Sequence, residues 1–292
     1  MNTLDTIGII SPGAMGSALG RCLAAGGARV ISTTAGRSAR TVALADGLQL
    51  VASVTEVVAQ ADLLISVAPP GHAVAIAIEI ARAARERGVR PLVADLNAIA
   101  PVTVEQVRRA LAEAGCELVD GSINGPPPGP SWPEPTVIYL SGPAADRVAG
   151  LPVPHVRMQV VGTELGRASA VKMRTASVYK GLAALFVQAL RTAEWHGVTP
   201  IVLADLARDL PEHVAAAAQL IASAASKSDR HPGEMRQIAL AQAAAGGEPA
   251  LFEAMATVYE SLRRSELAQL SPEQAVRIDD LSAALAALAR RV

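Results

Sequence analysis

"TIGIISPGAMGSALG", residues 6–20, decides how the rest of the chain is read. A short β-branched run leads into a glycine turn, and a segment of helical period comes next. Strand, glycine turn and helix in that order open dinucleotide-binding domains, whose fingerprint is G-x-G-x-x-G. Gly13 and Gly16 stand where the second and third glycines belong. Gly13 would let the backbone approach a pyrophosphate, and Gly16 would let the helix pack closely on the strand. Ser11 takes the place of the first glycine, at the tight turn, and Pro12 stiffens the chain just beyond it. Ser11, Pro12, Gly13, Ala14 and Met15 are therefore the expected phosphate cradle, because a helix N-terminus offers unsatisfied N–H groups and a positive dipole end to an anion. The same residues would also serve a plain β-turn-α connection with no ligand, so the neighbouring sequence has to arbitrate.

A second β-branched run, "ARVIS", ends at Ser32. In NAD-binding domains an acidic residue closes that strand, about 20 residues beyond the glycines, and takes the adenosine ribose hydroxyls. Thr33 and Thr34 occupy that place here, and "AGRSAR" comes after them with Arg37, Ser38 and Arg40. A carboxylate would repel a 2′-phosphate, whereas hydroxyls and guanidinium groups bind one through charge-assisted hydrogen bonds. The pattern favours NADP(H) over NAD(H); the competing description is a solvated helix start with two surface arginines.

The alternation continues. "DLLISV", "RPLVADL" and "CELVDGSI" read as strands, and residues 14–25, 73–86 and 101–114 as helices. Strands alternating with helices build parallel βαβ units. Apolar strands without polar alternation belong in a sheet covered on both faces. "NGPPPGPSWPEP" carries six prolines between Gly125 and Pro135, which makes it a loop at the edge of the domain. "TVIYLSG" and "HVRMQVV" read as two further strands, with "PAADRVAG" as a short helix between them. From Glu164 the strand signals stop. Residues 164–196 form a long Ala/Leu-rich helical pattern. Four or five more helical segments come after it, broken by "GVTP", "LPEH", "SDRHPGE", "AGGEP" and "LSPE". Ser271 reads as a helix cap with Pro272 at the first helical position. The expected architecture is an α/β N-terminal Rossmann domain over residues 1–162, doubly wound and mostly parallel, followed by an all-α domain over residues 163–292.

Composition narrows the classes. The formal net charge is -1 over 292 residues, with basic residues scattered, so no strong field favours nucleic acid or an anionic membrane. Hydrophobic residues make up 51% and aromatic ones 2%, so the core must be built from Ala, Val, Leu and Ile. The most apolar window, Leu63 to Ile80, is interrupted by "PPGH" and reads as strand, break and helix rather than a membrane span. No basic stretch precedes the first apolar run, and a signal peptide is not expected. Cys22 and Cys116 have neither C-x-x-C nor metal-ligand spacing, which fits reduced thiols in a cytoplasmic protein. The five histidines, His72, His155, His196, His213 and His231, have no partners at metal-ligand spacing, and no metal is expected.

"IGIISPGAMG", "DLLISVAPP", "VADLNAIAP", "VDGSINGPP" and "GRASAVKMRTASVYKG" succeed one another along the chain. In order and spacing they resemble the successive motifs of the β-hydroxyacid dehydrogenase superfamily. That group includes 3-hydroxyisobutyrate and 6-phosphogluconate dehydrogenases and has the imine reductases as relatives. The resemblance covers almost the whole chain and is nearest to a 6-phosphogluconate-dehydrogenase-like branch. "SVAPP" is similar to the family's cofactor loop, which implies that Val67, Ala68 and Pro69 lie beside the adenosine and ribose. "DLNAIAP" implies Asn97 near the nicotinamide ribose. "DGSINGPP" resembles the substrate-binding D-x-x-x-S-G-G, which implies Ser122, Asn124 and Gly125 facing the substrate, with Asn124 where the family has serine. "GRASAVK" resembles G-x-G-x-x-x-K and makes Lys172 the match to the catalytic lysine. The family's asparagine pair after the lysine is here Thr175 and Ala176, a departure that puts the ordinary hydroxyacid substrate in doubt. Ser177, Tyr179 and Lys180 are additional polar groups. At about 100° per residue, Thr175, Ala176 and Tyr179 share the helix face of Lys172, and Lys180 is turned away by roughly 80°. Thr175 and Tyr179 therefore join the expected substrate-binding set.

The helix around Lys172 is largely apolar. A lysine facing inward from it beside a cleft would be desolvated and its pKa would fall toward neutrality. It could then give a proton to a carbonyl oxygen as hydride arrives and take one back in reverse. The alternative is a surface lysine with its stem on apolar neighbours and its ammonium in water. Asp95 and Asp120 end strands and are expected to cap a following loop or helix. Trp132, in the proline loop, could cover an active site or lie in an interface.

Together these readings describe an NADP-dependent dehydrogenase or reductase. It would move hydride between nicotinamide and a small carbonyl or hydroxy compound, with Lys172 as general acid/base in an interdomain cleft. The expected partners are the small-molecule substrate and a second copy, in a homodimer through the helical domain as the superfamily resemblance implies; no nucleic acid and no membrane. One alternative is an imine reductase, which the missing asparagines favour and Lys172 opposes. Another is an NADP(H)-binding sensor without turnover, in which the lysine is idle.

Overall fold

Strand β1 (Thr6–Ile10) sits inside an eight-stranded sheet in the computed structural model of the chain, which describes residues 4–290. The other strands are β2 (Arg29–Ser32), β3 (Gln49–Leu50), β4 (Leu63–Ser66), β5 (Leu92–Asp95), β6 (Leu118–Asn124), β7 (Thr136–Ser141) and β8 (Val156–Val160). Their spatial order is β3-β2-β1-β4-β5-β6-β7-β8, parallel throughout except where β7 runs antiparallel to β6. The order reverses between β1 and β4. In open α/β sheets that switch point, outside the carboxyl ends of the strands, is where ligands bind.

Between the strands run α1 (Ala14–Ala25), α2 (Ala39–Leu44), α3 (Val54–Gln60), α4 (Ala73–Arg87), α5 (Pro101–Ala112) and α6 (Ala145–Ala149). Successive strand residues point to opposite faces, so each strand feeds two cores. Ile10, Ile31, Leu64 and Val93 pack with Val57 of α3, Ile80 of α4 and Val107 of α5. Ile7, Ile9, Leu63 and Ile65 pack with Leu19 and Leu23 of α1 and Val148 of α6. Gly8 lets α3 sit on the sheet: a Cβ there would lie 2.6 Å from Val57 Cγ1. Cys22 and Cys116 are buried, free thiols.

The long pattern after residue 164 is one helix, α7 (Arg167–Trp195). Seven more come after it among the described residues: α8 (Thr199–Asp209), α9 (Pro211–Ala215), α10 (Ala217–Ser226), α11 (His231–Ala243), α12 (Ala250–Leu262), α13 (Pro272–Ala275) and α14 (Leu281–Ala289). That exceeds the four or five read from the pattern, because α9 and α13 are single turns of 5 and 4 residues and show no period. α13 begins in a capping box: Ser271 Oγ accepts from the Gln274 N–H and Gln274 Oε1 accepts from the Ser271 N–H. Strand β3 carries no period either. It is two exposed residues held by pairing with Ile31 and Ser32.

The chain divides into two compact units, the first ending at Met173 and the second beginning at Arg174. The sheet itself ends at Val160, near the predicted division at residue 162, but the first unit also keeps the opening turns of α7. Hydrogen bonds accepted by Asp120 and Ser141 and donated by Ser122 hold those turns to β6 and β7. The second unit is all-helical, with Ile221, Met235, Ile238, Tyr259 and Leu262 fully buried. Among the described residues no helix is long and apolar enough to cross a membrane.

Candidate active site

The glycine turn begins with a residue in an unusual conformation. Ser11 has φ +68°, the left-handed region that glycine enters freely and other residues at a cost of roughly 1–2 kcal/mol. Serine here adopts the backbone of the missing first glycine. Gly13 is the N-cap of α1, with no side chain bonded to the helix end and no acidic residue in the first turn. A Cβ on Gly13 would meet nothing within 4 Å, whereas one on Gly16 would lie 2.6 Å from the Ser11 carbonyl oxygen. The first position leaves open space over the free N–H groups of Ala14 and Met15, and the second must be bare for the helix to close on the turn. Pro12 is buried and its carbonyl accepts from Ser17 Oγ at 2.6 Å. Room, free amides and a positive helix end are what a pyrophosphate requires.

At the end of β2, Ser32 Oγ donates to the Ile9 carbonyl at 2.7 Å, which ties the second strand to the first just before the turn. Thr33 is buried and its Oγ1 accepts from the Ala35 N–H; Thr34 is half-buried. Ser38 caps α2 by accepting from the Thr41 N–H at 3.3 Å. Arg37 and Arg40 are exposed and make no ion pair among the described residues. No carboxylate stands in this stretch, which offers two guanidinium groups and several hydroxyls beyond the carboxyl end of β2.

Asn97 proves to be a strut. Its Oδ1 accepts from the Ala68 N–H at 2.5 Å, and its Nδ2 donates to Ser66 Oγ at 3.0 Å and Asp95 Oδ2 at 2.8 Å. Its own N–H donates to Asp95 Oδ1 at 3.0 Å. The Val67–Ala68–Pro69 loop is thereby fastened to the end of β5, with Val67 and Ala68 half-buried and Pro69 exposed. Asp95 pairs in register with Asp120 of β6. Burial pushes the Asp95 carboxyl up to about 7; its bonds to Asn97 oppose the rise and the charge of Asp120 adds to it. Burial also raises Asp120, against hydrogen bonds from Ser169, Ser141 and Gly166. The capping role expected of Asp120 is fulfilled on a helix 46 residues away, since its Oδ2 accepts from the Gly166 N–H at 3.0 Å.

Lys172 is half-buried, and its Nζ donates to the Ile123 carbonyl at 2.8 Å. That carbonyl adjoins Asn124, which is half-buried, and Gly125, which is exposed with φ +139°. The lysine is therefore brought to the "SING" stretch across 49 residues of sequence. Ser122 is fully buried, and its hydroxyl donates to the Ala168 carbonyl at 2.8 Å, joining β6 to α7. Thr175 and Tyr179 lie in the second unit, Thr175 half-buried and Tyr179 73% exposed. Trp132 is 49% exposed.

Sequence reasoning named Lys180 as a polar group but missed the cluster it belongs to. Lys180 of α7 forms a nearly buried ion pair with Glu234 of α11, and the Tyr259 hydroxyl of α12 donates to the Lys180 carbonyl at 2.9 Å. Burial pushes the Tyr259 phenol up. A compositional signal could have pointed there: the chain has only three lysines, at 172, 180 and 227, against 23 arginines, and all three are partly buried. Arginine stays charged in any setting, whereas a buried lysine titrates.

A doubly wound sheet with a glycine turn at its switch point is the architecture of a dinucleotide-binding domain, succeeded here along the chain by an all-helical unit. Residues 6–131 match the NAD binding domain of 6-phosphogluconate dehydrogenase, and residues 193–262 match a domain of unknown function, DUF1932. The chain thus carries an NAD-binding domain of the 6-phosphogluconate dehydrogenase type, which takes a nicotinamide cofactor. Among solved structures it is similar to the conserved protein MTH1747, described as structurally similar to 3-hydroxyacid dehydrogenases, with 26% identity over 88% of this chain and 96% of that one and a TM-score of 0.64. It is also similar to the 3-hydroxyisobutyrate dehydrogenase of Mycobacterium tuberculosis, at 19% identity, 99% and 100% coverage and a TM-score of 0.66. An imine reductase of Streptomyces aurantiacus shares the fold at 20% identity, 93% and 98% coverage and a TM-score of 0.52. No curated protein matches the sequence.

Proposed function

We propose that this protein is an NADP-dependent oxidoreductase acting on a small carbonyl or hydroxy compound, with Lys172 as its general acid/base. The observation that carries the reading is Lys172 itself, half-buried and bonded to the Ile123 carbonyl beside Asn124 and Gly125 at the carboxyl edge of the sheet. When bound, the nicotinamide supplies or accepts the hydride. Lys172 Nζ donates a proton to the carbonyl oxygen as it becomes an alcohol, and recovers it in the reverse direction. Ile123 O orients the ammonium, and the Asn124 side chain would hydrogen-bond a polar substrate group. Thr175 and Ala176 in place of an asparagine pair suit a substrate without a carboxylate clamp.

Ala14 and Met15 would take the pyrophosphate on their amides, with Ser11, Pro12 and Gly13 shaping the turn, where the Gly13 N–H donates to the Ser11 carbonyl at 2.9 Å. Thr33, Thr34, Arg37, Ser38 and Arg40 would take the adenosine ribose and its 2′-phosphate, and Val67, Ala68 and Pro69 would border the adenosine. Asn97 would act on the nicotinamide side through the loop it holds. A homodimer through the helical unit also belongs to this reading. It is supported by Tyr179, Leu185, Trp195 and Ile201, which that unit leaves 73%, 56%, 86% and 72% exposed.

Thermal melts and turnover test the proposal. NADPH should raise the melting temperature more than NADH, and equal shifts would remove the 2′-phosphate argument. NADPH consumption is measured with 2-keto acids, 3-oxo acids, semialdehydes and cyclic imines. Lys172→Ala should abolish carbonyl reduction, by at least about 100-fold, with NADPH affinity intact. Unchanged turnover in that variant takes the lysine out of the mechanism, and turnover of imines alone makes the protein an imine reductase.

A further inference from the structure

The place of Lys172 depends on where α7 begins, and one buried carboxylate meets that beginning. Asp120 is 1% exposed. Its Oδ2 accepts from the Gly166 N–H at 3.0 Å, the Ser169 N–H at 3.1 Å and Ser141 Oγ at 2.8 Å, and its Oδ1 accepts from Ser169 Oγ at 2.5 Å. Ser141 Oγ in turn accepts from the Ala168 N–H at 3.0 Å. The amide-bearing, positive end of α7 therefore closes on a single anion, the arrangement that most favours a charge at a helix N-terminus. Three residues along the same strand, the Ile123 carbonyl takes Lys172 Nζ. Strand β6 thus grips α7 three times, by the Asp120 carboxylate and the Ser122 hydroxyl at its first turn and by the Ile123 carbonyl at the lysine.

We propose that Asp120 is a positioning residue for Lys172: its carboxylate locks the first turn of α7 onto β6 and so fixes the ammonium at the Ile123 carbonyl. The inference rests on the reading of Lys172 as acid/base for its catalytic consequence, but not for its geometry. Asparagine at this position keeps the shape but removes the negative charge that faces the helix start and replaces one accepting oxygen, on which the Ser169 hydroxyl or a backbone N–H now closes, with an NH2 group. The first turn is then held more loosely, and the lysine with it.

The test is Asp120→Asn in the full-length protein, with two readouts. Acylation of the three lysines by an N-hydroxysuccinimide ester, resolved by mass spectrometry, should show Lys172 labelled about fivefold faster than in the unaltered protein, the effect of losing a restraining hydrogen bond. Lys180 and Lys227 serve as internal references and should keep their rates. With a substrate identified from the carbonyl and imine series, kcat should fall about tenfold to hundredfold, while the NADPH dissociation constant stays within about twofold. A purely structural carboxylate would lower the melting temperature and leave Lys172 labelling and kcat unchanged well below it, which overturns the proposal. Ser169→Ala and Ser141→Ala each remove one hydroxyl from the clamp and give smaller shifts in the same direction if Asp120→Asn does not fold; no shift in either also overturns it. Faster labelling combined with an active Lys172→Ala variant would uphold the positioning and sink the acid/base reading instead.

Discussion

Ser11, Gly16 and Asp95 show how much of this domain is decided one residue at a time. Ser11 adopts φ +68° in the turn, and Gly16 cannot carry a Cβ because the Ser11 carbonyl occupies its place. The two are complementary: the turn bends sharply enough to lay its carbonyl against the helix. Asp95 makes a pH-dependent contribution whose sign comes from its environment. Its folded pKa of about 7 lies above the ordinary value, so the folded protein holds a proton that the unfolded chain has released. The stabilisation is full below about pH 4 and is lost as pH rises to about 7, by at most about 4 kcal/mol at roughly 1.4 kcal/mol per unit. Denaturant unfolding of the unaltered protein and of Asp95→Asn across that range measures it. The stability difference between them should shrink as pH rises, and a constant difference would show that Asp95 does not titrate there.

Helix α7 is the element that serves both units. Its first turns belong to the sheet through Asp120, Ser122 and Ser141, and its later ones belong to the helical unit through Lys180. The Lys180 and Glu234 side chains are only 14% and 11% exposed, which makes removal of one partner costly. Glu234→Ala should destabilise by about 3–5 kcal/mol, because a nearly buried ammonium loses its carboxylate. Replacing the pair together, Lys180→Met with Glu234→Leu, should cost much less. A double-mutant cycle by chemical denaturation reads the coupling, and additive losses would mean that the pair contributes nothing as a pair. The helix was legible over residues 164–196 from its period and lack of proline. The pair was not, since Glu234 lies 54 residues beyond Lys180 and nothing in the local pattern links them.

For the molecule as a whole, the proposed dimer has a direct measurement. Sedimentation equilibrium at micromolar concentration should give twice the 30.0 kDa chain mass, and Trp195→Glu with Ile201→Glu should return it toward one. A monomer for the unaltered protein would reject the interface. The order of strands and helices was readable in advance because it rests on local causes. β-branched runs, glycine turns and proline breaks act within a few residues, and even the NAD-binding character rests on one turn and the strand next to it. Strand β3 and the single-turn helix α9 escaped because so few residues carry no period, whereas the start of α13 was legible in its Ser271 cap and Pro272. The links that assemble the candidate site also escaped: Asn97 to Ala68, Asp120 to Gly166 and Lys172 to Ile123, separated by 29, 46 and 49 residues. Each depends on the register of the parallel sheet and on where a distant helix starts. Those are set by the summed packing of two cores, a cooperative outcome that no short stretch of chain encodes.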